Sequence, residues 1–326
     1  MSDFKTLKGL FIKHVSSDPS NLIEGQIWYN TTSQTLKVAH RIEAWASGEN
    51  LTAGKHEFGT ASGGTQTATA VFGGISDPSP APGHRSLKTY EYDGSSWSEG
   101  GDLPAAGYQN VGFGTQTAAV NAMANEGPAG GSFNSEAYHY NGSSWTAGGN
   151  VNTYRAALAA AGTQTAGVVF GGYVPPDRKT ECEEYDGSTW TESGDLSTAA
   201  RELYGSGTQT AALAFTQDYA PGASAVTEEY NGSAWTAGGS MNTARKAGAG
   251  AGTQTATIAF GGSPNLTSTE SYNGTAWALA PSLAAGNMYG GGAGTSVLAL
   301  KTGGPPSVVT TEEYTSAATT RSVDTT

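Results

Sequence analysis

The sequence has a single cysteine, few charges and no long apolar run. Cys182 stands alone, so no intrachain disulfide can form. It sits in the strand-like stretch ECEEY, with no local base to activate a thiolate, and reads as structural rather than nucleophilic. The N-terminal MSDFKTLKGL has no apolar stretch of the secretion-signal kind, and no segment reaches about 18 consecutive apolar residues. Neither an export signal nor a membrane span is predicted. The five histidines, His14, His40, His56, His84 and His139, are not spaced as metal ligands, and GxSxG, HExxH and P-loop patterns are missing. The expectation is a protein with no catalytic residues, no metal and no cofactor. Only 13% of residues are charged, and the formal net charge is −12. Residues 1–41 carry Lys5, Lys8, Lys13, Lys37 and Arg41 against Asp3, Asp18 and Glu24, a balance of +2 that leaves −14 on the rest. That larger part repels a phosphate backbone, which argues against a nucleic-acid partner.

What the sequence has in abundance is glycine, 47 residues, with 10% aromatics. Frequent glycine and the scarcity of apolar residues at helical spacing argue against long helices, while the aromatics argue for a packed core. The pentapeptide GTQTA stands at residues 64–68, 114–118, 162–166, 207–211 and 252–256, and a divergent GTSV starts at Gly294. Trp45, Trp97, Trp145, Trp190, Trp235 and Trp277 follow the same rhythm. A repeat of this length implies a solenoid or a propeller. Within one repeat, KAGAG reads as a small-residue strand and GTQT as a turn. ATIAFGG then reads as an apolar strand, SPNLTS as a loop, TESYNG as a strand carrying a tyrosine and TAWAL as a strand carrying the tryptophan. The pentapeptide is expected to be a structural turn whose Thr and Gln satisfy backbone groups and neighbouring repeats, with a symmetric partner-binding ring as the other reading.

An apolar strand ending in Gly-Gly, followed by a Tyr and then a Trp, resembles the kelch repeat of β-propellers. The double glycines are Gly73-Gly74, Gly171-Gly172, Gly261-Gly262 and Gly303-Gly304, and the tyrosines are Tyr92, Tyr140, Tyr185, Tyr230, Tyr272 and Tyr314. Arg155, Arg201 and Arg245 resemble the arginine that follows the fourth strand, and they read as equivalent repeat positions. MANEGP near Met123 and AFTQ near Phe215 lack the Gly-Gly. The resemblance implies an all-β chain built as a six-bladed kelch-like β-propeller over residues 42–315. The N-terminal Trp45 strand would pair with the C-terminal Tyr314 strand to complete the sixth blade. Seven blades follow instead if residues 10–38 add strands of their own. Residues 316–326 read as a polar C-terminal tail. Three Asn-Gly-Ser/Thr sequons alternate with Asp93-Gly-Ser and Asp186-Gly-Ser, which fits type I′ turns better than glycosylation.

Residues 1–41 do not repeat. Their EGQIWYN–TTSQ–TLKV stretch resembles a short hairpin module of bacteriophage tail and virion proteins. Two strands alone are barely stable, so Ile27, Trp28 and Tyr29 are the expected anchor to the propeller or another subunit. The resemblance implies a non-enzymatic virion structural protein, a tail, fibre or decoration component assembled in the host cytoplasm. Its expected partners are other virion proteins in a homo- or hetero-oligomeric assembly and a host-surface glycan or protein. The alternative is a carbohydrate-binding or carbohydrate-active propeller with no virion role. Recognition is expected in the variable loops between second and third strands, at His84, Arg85, Phe133, Tyr173, Asp177, Arg178, Asp218 and Tyr219.

Overall fold

A computed structural model describes residues 12–76, 85–122, 134–219, 222–305 and 308–323. The chain is all-β, with no helix among the described residues. It divides into a small unit, residues 1–44 with 315–326, and a large unit, residues 45–314.

The large unit repeats one four-stranded antiparallel pattern. Its fifth copy runs Ala249–Thr253, Ala256–Phe260, Thr269–Tyr272 and Trp277–Ala280, hydrogen-bonded in that order. The first strands of the other copies are Gly59–Thr60, Val111–Thr115, Ala159–Thr163, Tyr204–Thr208 and Gly291–Gly294. In the sixth copy the third strand is the start of Thr311–Ser322 and the fourth is the end of Thr35–Ser47. Trp45 there packs on Tyr314 with ring centroids 5.3 Å apart. In the repeat KAGAG–ATIAF–TESY–TAWAL, the last three strands of the sequence and of the structure coincide to within about two residues, whereas the first, read at residues 246–250, is Ala249–Thr253 and takes in the Gly and Thr expected to begin the turn.

The pentapeptide turns out to be a tie between sheets. Thr115 pairs with Ala118, so Gln116 and Thr117 form a two-residue turn. Gly114 before it has φ of 89°, and a Cβ there would lie 2.2 Å from the Ala118 carbonyl, which is why glycine is required. Gln116 then donates to Thr69 O and Tyr92 O, two carbonyls of the preceding sheet. Gln164 does the same to Ala119 O and Tyr140 O, Gln209 to Gly167 O and Tyr185 O, and Gln254 to Ala212 O and Tyr230 O. Gln66 of the first sheet reaches Ala299 O and Tyr314 O of the sixth. A second set of bonds runs at the opposite end of the first strands. Gln109 N donates to Glu57 O, Glu57 N to Tyr289 O, Tyr289 N to Ala247 O, Ala247 N to Glu202 O and Glu202 N to Ala157 O, at 2.7–2.9 Å.

Aromatic side chains fill the space between sheets. Each Tyr of a third strand packs on the Trp of the fourth, as Tyr185 does on Trp190 at 4.5 Å and Tyr272 on Trp277 at 4.9 Å. The same pairs reach backwards. Tyr140 Oη donates to Glu91, Tyr230 Oη to Glu184, Tyr272 Oη to Glu229 and Tyr92 Oη to Glu313, each in the preceding sheet. Indole N–H groups follow suit, Trp145 to Thr89, Trp277 to Thr227, Trp45 to Thr269 and Trp97 to Thr311.

Buried cations brace the entry to the first strand in the first, third and fifth sheets. Arg155 and Arg245 are fully buried and pair with Glu183 at 2.7 Å and Glu270 at 2.6 Å, while also donating to the carbonyls of Gly171 and Gly261. Lys55 takes the same place in the first sheet and donates to Gly73 O, Ser86 Oγ and Lys88 O. Arg201 departs from the expected equivalence. It aligns one residue later, with Lys246, and bridges to Asp218 as Lys246 bridges to Ser263. The braced position in the fourth sheet is Ala200, and Glu228 there accepts from Tyr219 Oη instead. Glu228 also accepts from Ser197 N, so the buried carboxylate that lacks an arginine is still hydrogen-bonded.

The Asn/Asp-Gly corners are not type I′ turns, because only the glycine of each has positive φ. Asp93 Oδ1 instead accepts from the amides of Ser95 and Ser96, and Asn141, Asp186, Asn231 and Asn273 repeat this geometry. Asn and Asp interchange because both supply that oxygen.

In the small unit, Ile27–Asn30 pairs antiparallel with Thr35–Ser47, and Lys13–Val15 adds a parallel strand beside Ile27–Asn30. Residues 316–322, expected as a tail, are strand, and Val323 N donates to Leu36 O. Asp18 organises this unit by accepting from Trp28 Nε1, Asn30 Nδ2 and Lys37 Nζ at 2.7–3.0 Å. The Lys37, Asn30 and Trp28 hydrogen bonds hold its carboxyl down at about 2.

Candidate functional site

Loops between second and third strands carry short hairpins of their own, Tyr173–Val174 with Asp177–Arg178 and Asp218–Tyr219 with Gly222–Ala223. These hairpins bring Arg178, Arg201, Lys246 and Asp218 together. Arg178 Nη2 lies 3.1 Å from Asp218 Oδ2, Arg201 Nε 2.8 Å and Lys246 Nζ 3.7 Å. Asp218 is buried, which alone would raise its pKa; hydrogen bonds and charge from Arg201, Lys246 and Arg178 hold it below the usual carboxylate range. The Arg201 guanidinium lies over the Tyr173 ring, 4.5 Å from its centroid.

The expected recognition residues therefore divide. Asp177 is exposed, and Tyr173 and Arg178 are half-buried. Arg85 is half-buried, with its guanidinium 5.8 Å from the Tyr108 ring centroid. Asp218 and Tyr219 turn inward and pin the loop, the first through its three cations and the second through Glu228. His84 and Phe133 lie outside the described residues. Arg201, Lys246 and the exposed Tyr154 belong to the same part of the repeat, and sequence reasoning did not single them out as loop-site residues. For Arg201 and Lys246 the signal was the residue following the braced cation position, visible only once Arg201 is aligned with Lys246.

The anchor residues also divide. Trp28 is fully buried on Asp18, so the small unit does bury it. Tyr29 is half-buried against His14, 5.0 Å away, and Ile27 is exposed. Ile12, Ile23 and Ile42 are exposed as well, Ile23 to 69%. Among the described residues no group of three or more His, Cys, Asp or Glu side chains is placed to hold a metal ion, and no helix is long and apolar enough to cross a membrane. No protein-family model matches the chain, and no curated protein is recognisably similar to it.

Proposed function

We propose that the large unit is a six-bladed kelch-like propeller and that the chain is a non-enzymatic bacteriophage virion protein displaying it for adhesion or assembly. The ring reading is supported by the Gln66 side chain, which bonds the first sheet to the sixth just as the other glutamines bond successive sheets. The display reading is carried by the small unit. Four isoleucines are exposed in this unit, Ile27 and Ile42 on its strands and Ile12 and Ile23 in the segments beside them, while its own core residue, Trp28, is already satisfied. Apolar surface concentrated in a short segment marks a docking surface for another subunit. The exposed Asp177, with the half-buried Tyr173 and Arg178 beside it, then faces a host-surface glycan or protein.

Mass spectrometry of purified virions tests the assignment, with this chain expected among the structural components. Replacing Ile23 and Ile27 together by Asp changes exposed side chains only. Stability should stay within about ±0.5 kcal/mol per site, while incorporation into particles is lost. Full incorporation of the doubly charged variant contradicts the anchor. Turnover of a glycan by the wild-type chain, abolished by a loop substitution that keeps the fold, moves the reading to a carbohydrate-active propeller.

A further inference from the structure

The chain contains three Asn-Gly pairs, Asn141-Gly142, Asn231-Gly232 and Asn273-Gly274, and each stands at the corner between the third and fourth strands of a sheet. All three asparagines are exposed, yet each is held in one pose. Asn141 Oδ1 accepts from the amides of Ser143 and Ser144 at 3.0 and 2.9 Å. Asn231 Oδ1 accepts from those of Ser233 and Ala234, and Asn273 Oδ1 from those of Thr275 and Ala276, at the same distances. The glycine has φ of 87–90° in each corner, and its amide makes no hydrogen bond among the described residues.

The backbone nitrogen of the following residue is the nearest nucleophile to an asparagine side-chain carbonyl, and a glycine there puts no Cβ in its way. Attack develops negative charge on Oδ1, where two backbone N–H groups already point. Donors so placed stabilise the tetrahedral intermediate of acyl transfer. The glycine amide gives up no protein hydrogen bond when it loses its proton. The fold also accommodates the product. Asp93 and Asp186 occupy the equivalent corners of the first and third sheets. Their Oδ1 atoms accept from the same pair of amides, and their Oδ2 atoms from the hydroxyls of Ser96 and Thr189. The Ser95 hydroxyl with the Ser96 and Ser95 amides holds Asp93 down at about 2, and the Thr189 amide with the Ser188 hydroxyl and amide lowers Asp186. Ionised carboxylates are poor electrophiles, so these two corners do not react in the same way.

We propose that Asn141, Asn231 and Asn273 are sites of spontaneous deamidation, promoted by the folded corner. The glycine nitrogen bonds to Asn Cγ, the Cγ–Nδ2 bond breaks, and ammonia leaves with the glycine amide proton, closing a succinimide ring. Water then opens the ring. Cleavage of the bond from Cγ to the glycine nitrogen restores the chain with a side-chain carboxylate, as at Asp93 and Asp186. Cleavage at the backbone carbonyl leaves the chain linked through Cγ, with an extra atom in the corner. Each conversion adds one negative charge beside a pentapeptide turn, since a Cβ on Gly142, Gly232 or Gly274 would lie 3.2–3.4 Å from Thr117, Thr210 or Thr255.

Peptide mapping by mass spectrometry tests this on the full chain held at mildly alkaline pH, folded in one sample and unfolded in urea in the other. Conversion is expected at all three asparagines of the folded chain, at least as fast as at the same positions in urea. Asn50 and Asn150 are exposed but precede Leu51 and Val151, and they are expected to lag behind the three. Asn141→Gln, whose longer side chain cannot close the same five-membered ring, should lose conversion at that corner and leave Asn231 and Asn273 unchanged. Slower conversion in the folded chain than in urea, or Asn50 and Asn150 keeping pace with the three, would overturn the proposal.

Discussion

Trp235 differs from the other repeat tryptophans in what its N–H meets. Four of them donate to a threonine hydroxyl at the start of a neighbouring third strand, and Trp190 donates to Gly149 O. At the place facing Trp235 the threonine is replaced by Cys182, and the indole nitrogen finds no oxygen partner among the described residues. Sulfur is a weak acceptor, and burial pushes the thiol up to about 12, so it stays protonated. Cys182→Thr is expected to stabilise the protein by about 0.5–1.5 kcal/mol, the net worth of an ordinary hydrogen bond, read as a rise in melting temperature. A lower melting temperature would mean that the sulfur is held for its packing. The sequence showed Cys182 to be structural, since it had no base nearby. It could not show the reason, because the partner lies 53 positions away in the next sheet. The residues of the backbone circuit at the opposite end of the first strands were hidden in the same way. Glu202, Ala157 and Ala247 each stand five places before a pentapeptide glycine, but only two of the six equivalent positions are acidic, so no motif marks them.

At the scale of the element, the pentapeptide was legible as a repeated turn and its glycine as a conformational requirement. The direction of its glutamine was not, because the two carbonyls it ties belong to the preceding repeat. The sixth copy carries Ser296 where the others carry glutamine. Ser296 is too short to reach the Thr257 and Tyr272 carbonyls, which are the counterparts of the pairs bound by Gln116, Gln164, Gln209 and Gln254. Ser296→Gln is expected to add about 1 kcal/mol of stability by supplying the missing tie, checked by chemical denaturation at unchanged m-value. No gain would show that the fifth and sixth sheets are too far out of register for the bond. The small unit was only partly legible. Ile27–Asn30 and its partner strand were readable from alternation, whereas Lys13–Val15 is too short to carry a period, and the polar 316–322 stretch reads as a tail until its pairing is seen.

For the whole molecule, the sequence supplied the number of repeats and the offset of strands between the chain ends. What it left open was whether the sheets form a closed circuit, because closure depends on contacts between residues more than 200 positions apart. Gln66 makes that contact to Ala299 and Tyr314, and it is 8% exposed. The most direct measurement is the stability of Gln66→Ala against that of Gln164→Ala, which removes the corresponding pair of bonds between consecutive sheets. A closed ring predicts equal losses for the two variants, each about 1–3 kcal/mol, from carbonyls left without their donor. A silent Gln66→Ala beside a destabilised Gln164→Ala would show that the first and sixth sheets are not joined, and would contradict the ring.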